Sequence, residues 1–249
     1  MADLSRFVAL VTGGSRGIGA ATAQALAQRG ASVALSFVGA REQALAVVGQ
    51  CEVQGAQAVA LQCDLTQPGA AFDLCERARL ALGPPSILVC NAGHSLHALA
   101  EDTSTSELGA LLQVHVHAPY DCARAVIPEM RRYGFGRIVF VSSVWGLVGA
   151  AHESAYATAK GALIALTRSL AKEYEHSPVT VNCIAPGAIE TAMIAHLSPA
   201  ERRELCARIP LQRIGSPREV ATAIAFLCDP ASASFTGQVL SVAGGLELV

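Results

Sequence analysis

Along the chain, short runs of apolar and β-branched residues alternate with longer stretches whose apolar positions recur at helical spacing. The runs at 7–11, 32–37, 56–62, 86–90, 137–142, 180–184 and 238–242 read as parallel strands buried on both faces, since each is largely apolar throughout. Between them, 17–28, 41–54, 70–82, 104–132, 156–174 and 217–228 read as helices. Strand and helix taking turns from end to end means βαβ units, and right-handed crossovers then place helices on both faces of one sheet. The expected fold is α/β: a doubly wound, seven-stranded parallel sheet in a single domain spanning 1–249, without internal repeat or linker. Ligands in such sheets lie beyond the carboxyl ends of the strands, so the residues that follow each strand are the candidates for chemistry.

Composition narrows the function classes. Of 249 residues 52% are hydrophobic and only 15% charged, with a net charge of −2, which excludes disorder and nucleic-acid binding through a basic surface. A mean hydropathy of +0.40 would suit a membrane protein, yet no run approaches the roughly 18 apolar residues of a spanning helix. The apolar surplus is assigned instead to contacts between subunits. The N-terminal MADLSRFVALVTGG lacks the apolar core and cleavage site of a secretory signal, so a cytoplasmic protein is expected. Eight scattered cysteines without a CxxC pair read as reduced core residues. His115 and His117 would form a metal edge only in a strand, and their surroundings look helical, so no metal site is expected.

After the first strand comes Thr12-Gly-Gly-Ser-Arg-Gly-Ile-Gly19, running straight into a helix. Glycines at 13, 17 and 19 let the backbone turn sharply and approach a pyrophosphate, while the helix start offers unpaired N–H groups and a positive dipole end. The spacing is GxxxGxG, not GxGxxG, but the place is that of a Rossmann-type dinucleotide loop. Asp64 follows the third strand, where a carboxylate can accept from an adenine amino group or cap the next segment. Asn91-Ala-Gly93 follows the fourth and leaves room for a flat ring or a ribose. The second strand ends Leu35-Ser36-Phe37-Val38 without the acid that would bind a ribose 2′-hydroxyl, and Arg16 offers a phosphate partner, so NADP(H) is expected over NAD(H).

Ser142-Ser143 ends the fifth strand, and Tyr156-Ala-Thr-Ala-Lys160 opens a long helix. Residues four apart share a helix face, so the ammonium can lie near the phenol and, with an oxidised nicotinamide, stabilise its phenolate. The serine hydroxyl can donate to a carbonyl oxygen that gains charge.

With these residues in order, the chain resembles the classical short-chain dehydrogenase/reductase family: Thr12 to Gly19, Asp64, Asn91 to Gly93, Ser143, Tyr156, Lys160, and Pro186-Gly187 followed by Thr191. The subgroup it looks most like is the 3-oxoacyl-acyl-carrier-protein reductases of bacteria, through the tails at 209–220 and 236–245. The resemblance implies Tyr156 as acid/base, Ser143 as carbonyl polariser, and Lys160 as ribose ligand that lowers the tyrosine pKa. It also implies a cofactor site of Gly13, Ser15, Arg16, Gly17, Ile18, Gly19, Ser36, Asp64, Leu65, Asn91, Ala92 and Gly93, together with Tyr156 and Lys160. Pro186, Gly187, Ile189 and Thr191 would hold the carboxamide end, Ile189 through its backbone. Substrate-facing candidates are His94, Trp145, Leu147, His152, Glu153 and Met193, with a lid at about 190–212 setting specificity.

The implied activity is NADPH-dependent reduction of a ketone, in first place a 3-oxoacyl thioester of fatty acid biosynthesis, by a homotetramer built on helices 104–132 and 156–174. A free ketone or alcohol is the alternative substrate, and a nucleotide-binding regulator without turnover the alternative of another class. Two features depart from the family. His115 stands where members usually carry an asparagine that holds a relay water, and a titrating imidazole there would add pH dependence. Gly134 and Ser177 occupy places where carrier-protein reductases present basic residues, although Arg131, Arg132 and Lys172 are near in sequence. An acyl carrier protein is therefore the least supported partner.

Overall fold

The computed structural model describes residues 3–246. All seven strands form: β1 (Val8–Val11), β2 (Ser32–Phe37), β3 (Ala58–Gln62), β4 (Ile87–Cys90), β5 (Gly136–Val141), β6 (Val179–Pro186) and β7 (Val239–Val242). They pair in parallel in the order β3-β2-β1-β4-β5-β6-β7. The winding reverses between β1 and β4, which opens a crevice at their carboxyl ends. The helices are α1 (Gly17–Ala27), α2 (Arg41–Val53), α3 (Ala70–Leu82), α4 (Thr105–Leu112), α5 (Ala118–Tyr133), α6 (Trp145–Val148), α7 (Ser154–Glu173), α8 (Pro199–Arg208) and α9 (Pro217–Leu227).

The two-residue period of a strand divides the core. Val11, Leu35, Val89, Val139 and Ile184 point to the side that α1, α2 and α9 cover. Leu10, Ala34, Leu88, Phe140 and Cys183 point to the side of α3, α5 and α7. Fully buried leucines such as Leu10, Leu35 and Leu88 each contribute about 1.5–3 kcal/mol of transfer free energy, which explains why these runs are mainly apolar.

The expected helix 104–132 is two helices. A π-helical turn, Gln113–His117, separates α4 from α5, and Ala118 N–H bonds back to Gln113 O. Proline causes the break: Pro119 has no N–H to give to the carbonyl four residues earlier, that of His115. The wider turn carries His115 inward, while His117 stays exposed, so the two imidazoles diverge. The expected lid contains a 3-10 turn (Ala192–Ile194) and α8, where no helix was expected. Helix α8 buries none of its residues and so has no apolar stripe; a capping box, Ser198 with Glu201, starts it instead. Arg202 ties it to the lid root through two bonds to the Glu190 carboxylate, 2.7 and 2.9 Å.

At the far end of the sheet from the crevice, two buried arginines share one partner. Arg29 donates to Asp229 Oδ2 (2.5 Å) and Ala225 O (2.6 Å). Arg137, 3% exposed, donates to the carbonyls of Gly136 (2.8 Å), Pro178 (3.3 Å), Asp229 (3.4 Å) and Pro230 (3.4 Å). Its guanidinium lies over Phe135, 4.3 Å from the ring centroid, and Phe135 stacks on Phe7.

Candidate active site

The loop after β1 is a cradle that only glycine permits. Gly13 has φ +64°, and a Cβ there would stand 2.8 Å from Ala92 Cα. A Cβ on Gly19 would collide with the Gly13 carbonyl and the Asn91 amide. Among the described residues no side chain caps α1 and its first turn has no acid, so its leading N–H groups face the loop unpaired. Unpaired N–H groups at a helix start are the donors that a pyrophosphate needs.

Several expected contact residues prove to be the frame of that cradle. Ser36 is buried and its Oγ accepts the Gly13 N–H (3.1 Å), which ties the loop to the end of β2. Asn91 Nδ2 donates to the carbonyls of Thr12 and Gly13, both at 3.1 Å, locking β4 to the loop. Thr12 Oγ1 in turn accepts the N–H groups of Asn91 and Ala92, each at 3.0 Å, a role the sequence did not reveal. Asp64 closes its own turn: Oδ1 accepts from the Thr66 N–H and hydroxyl, which hold its carboxyl below the usual range. Leu65 and Ser15 are buried, whereas Arg16 is exposed and its side chain has no hydrogen-bond partner among the described residues. On the other side Thr191 packs against Gly17, and Gly187 N–H is bound to Val242 O at the end of Pro186. Ile189 bridges Gly215 through its neighbours: Glu190 N–H goes to Gly215 O and Gly215 N–H to Ala188 O. That pattern leaves the Ile189 backbone groups outside the bridge.

Ser143, Tyr156 and Lys160 meet at the carboxyl end of β5. Ser143 Oγ accepts the Trp145 N–H (3.2 Å), so its own proton is available, and the nearby hydroxyl favours the Tyr156 phenolate. Burial opposes this more strongly and pushes the phenol up to about 12. Lys160 stands beside Tyr156. Its Nζ turns inward to Val141 O (2.7 Å), 5.6 Å from the Tyr156 ring centroid, and complete burial lowers the amine to about 8.

His115 lies against this group, its ring edge-on to Tyr156 at 5.5 Å between centroids. Its Nε2 is 2.7 Å from the His94 carbonyl, which fixes the Nε2–H tautomer and leaves Nδ1 as an acceptor. Nδ1 is buried and without a hydrogen-bond partner among the described residues. Burial, reinforced by Lys160, pushes the imidazole down to about 2. The expected titration of His115 near neutrality is therefore corrected: it stays neutral.

Around Tyr156 an apolar wall forms. Leu111 and Ala155 pack on it with Leu96, Leu108 and Trp145. His94, His97 and His152 are exposed and Glu153 is half-buried. His97, which was not among the candidates, stacks on His152 at 5.2 Å. Leu147 and Met193 are exposed, 39% and 47%, on α6 and on the 3-10 turn of the lid.

A family model described as "Enoyl-(Acyl carrier protein) reductase" matches residues 13–247, nearly the whole chain. The chain belongs to the short-chain dehydrogenase/reductase family. Curated relatives agree: an uncharacterized oxidoreductase of Bacillus subtilis, YmfI, is 38% identical over 95% of this chain and 97% of its own. The 3-oxoacyl-[acyl-carrier-protein] reductase FabG of Escherichia coli is 36% identical over 97% and 98%. Among solved structures, a blue fluorescent protein from a metagenomic library in complex with NADPH superposes with a TM-score of 0.92 at 35% identity, covering 98% of this chain and 99% of its own. A 3-oxoacyl (acyl-carrier-protein) reductase from Agrobacterium tumefaciens C58 with NADP bound gives 0.92 at 33%, covering 97% and 95%. The fold of this short-chain dehydrogenase/reductase is thus the one the strand pattern had indicated.

Proposed function

We propose that this chain reduces a ketone with NADPH, and that a 3-oxoacyl thioester is the preferred ketone. The observation that carries the reading is the buried group of Ser143, Tyr156 and Lys160, together with a loop after β1 whose glycines at 13 and 19 leave no room for a Cβ. The NADPH- and NADP-bound neighbours and the FabG relative support the cofactor and the substrate class. When bound, the nicotinamide supplies a hydride. The chain's own residues do the rest: Ser143 donates a hydrogen bond to the carbonyl oxygen, and Tyr156 hands it a proton as charge develops. A phenol held up by burial keeps that proton at neutral pH, which suits the reductive direction. Lys160 contributes a buried positive charge fixed by Val141. His115, neutral, offers Nδ1 as an acceptor beside Tyr156 and can hold a water there.

The cofactor seat would place the loop N–H groups on the pyrophosphate and Arg16 on a 2′-phosphate. Arg16→Ala is expected to cost roughly tenfold in kcat/KM with NADPH and little with NADH, the loss of one charge-assisted contact. Steady-state rates with the two cofactors measure this, and an unchanged ratio removes Arg16 from the selectivity.

The apolar wall of Leu96, Leu108 and Trp145 favours an acyl chain. Carrier-protein docking has weaker support: Arg132 pairs with Glu129 (3.6 Å) and Arg131 lies over Tyr174, as ordinary helix-surface charges do. The test is NADPH oxidation with a carrier-protein thioester against a simple ketone. The thioester is expected to be turned over at least about tenfold faster, a difference of roughly 1.4 kcal/mol in barrier, and equal rates reject it. Exposed Tyr120, Phe226, Phe235 and Leu240 support a homotetramer, and the eight free thiols support a reducing, cytoplasmic setting.

A further inference from the structure

Two small apolar clusters stand apart from the main core, and among the described residues one side chain joins them. The first lies under the lid: Val144, Ile209, Ala243 and Leu246 are buried, and Leu205 of α8 packs on them. No residue of α8 is buried, so Leu205 is the point at which that helix meets the body. The second is the wall at Tyr156, in which Leu96 and Leu108 pack on Leu111, Ala155 and the tyrosine. Trp145, the single tryptophan of the chain, packs against both.

The backbone on either side of the indole is held. Val144 N–H is bound to Pro186 O (2.8 Å), Trp145 N–H to Ser143 Oγ (3.2 Å) and Gly149 N–H to Trp145 O (2.9 Å). A Cβ on Gly146 would stand 2.8 Å from the Lys160 carbonyl carbon and from Ser142 Oγ, so α6 lies hard against α7. Ile209 is seated as closely. A Cβ on Gly244 would meet its Cγ2 at 2.8 Å, and Leu211 N–H is bound to Gly244 O (3.1 Å). With both supports fixed, rotation about its own side-chain bonds is the freedom left to the indole. It is partly buried, and the two large apolar residues that follow on the same short helix, Leu147 and Val148, are exposed.

We infer that Trp145 sets the size of the group that the site accepts beside the carbonyl, as a partition between the wall at Tyr156 and the lid. This rests on the reading of the chain as a ketone reductase, with the reacting carbon at Tyr156 and the rest of the substrate lying along the wall. A short acyl group lies against Leu96 and Leu108 while the indole stays on Leu205 and Ile209. A long or branched group takes the space of the indole, which must then leave the lid cluster. The lid thereby loses part of the roughly 150–250 Å² that an aromatic side chain buries. Bulk beside the carbonyl is thus opposed by the seating of the lid as well as by the wall.

The test is Trp145→Ala, assayed with NADPH on two series of rising chain length, 3-oxoacyl thioesters of N-acetylcysteamine and straight-chain methyl ketones. The substitution leaves the backbone bonds of residue 145 in place. The ratio of kcat/KM for the longest to the shortest chain is expected to rise roughly tenfold or more, mainly through KM, the scale on which an apolar pocket discriminates a methylene group. Trp145→Phe is expected to move the ratio in the same direction by a smaller factor. NADPH affinity, read by titration of the cofactor's fluorescence, is expected to stay unchanged. The emission of the single tryptophan gives a readout besides activity: Leu205→Ala and Leu96→Ala are each expected to shift it to longer wavelength, as water reaches the indole from one side or the other. An unchanged ratio in both tryptophan variants overturns the inference, and so does an equal loss at every chain length, which marks a structural role. An emission that neither leucine variant moves overturns it too, because the indole then joins nothing. If the wild type reduces only the free ketones, the thioester preference falls and the ketone series decides the role of Trp145. If it reduces neither series, the reductase reading falls and takes this one with it.

Discussion

Phenylalanine at position 156 is expected to lower ketone reduction on the order of 10²–10⁴-fold, the range in which a positioned proton donor contributes. The substitution removes one oxygen and keeps the ring that Leu111 and Ala155 pack against and that His115 meets edge-on. The protein should therefore fold as before. The cradle lies on β1 and α1, held by Ser36 and Asn91, and none of its bonds involves Tyr156. NADPH affinity is expected to remain within about twofold, because no framework contact changes. Stopped-time NADPH oxidation with fluorescence titration separates the two quantities. Retained turnover would remove Tyr156 from the chemistry, and lost affinity would show that the phenol builds the binding site instead.

The second large effect lies far from the crevice. Asp229→Ala is expected to destabilise the fold by about 3–5 kcal/mol, since it leaves the buried Arg29 without its carboxylate. Both side chains are under 10% exposed, so water cannot replace the lost partner. The same carboxylate also accepts the Ala231 N–H (2.8 Å), which orders the turn whose carbonyls receive Arg137. One deletion thus loosens two buried guanidinium groups. Urea denaturation followed by circular dichroism measures the change. A midpoint within error of the wild type would show that the network relaxes without cost.

The central strands were legible because burial on both sides favours unbroken apolar runs, as in Ile87-Leu-Val-Cys90. The division of 104–132 was not, because Gln113-Val-His-Val-His117 keeps helical spacing of apolar positions through the π turn. Pro119 was the available sign, and a proline near a helix start is ordinarily tolerated. Helix α8 escaped because nothing in it is buried, although Ser198-Pro-Ala-Glu201 spells a helix start. In the site, the sequence pointed to residues whose bonds within the chain it did not reveal. Ser36, Asn91 and Asp64 bind the protein's own backbone, and Asn91 reaches a residue 79 positions away, beyond any local pattern. Whether His115 would titrate depended on burial, which spacing along a chain does not encode.

The wide turn between α4 and α5 seats the imidazole of His115 directly over the α-carbon of Gly93, where a β-carbon would overlap the ring. These two positions occupy one small volume and cannot vary independently. A lineage that enlarges residue 93 must first shrink residue 115, and the order of those two steps is fixed by sterics.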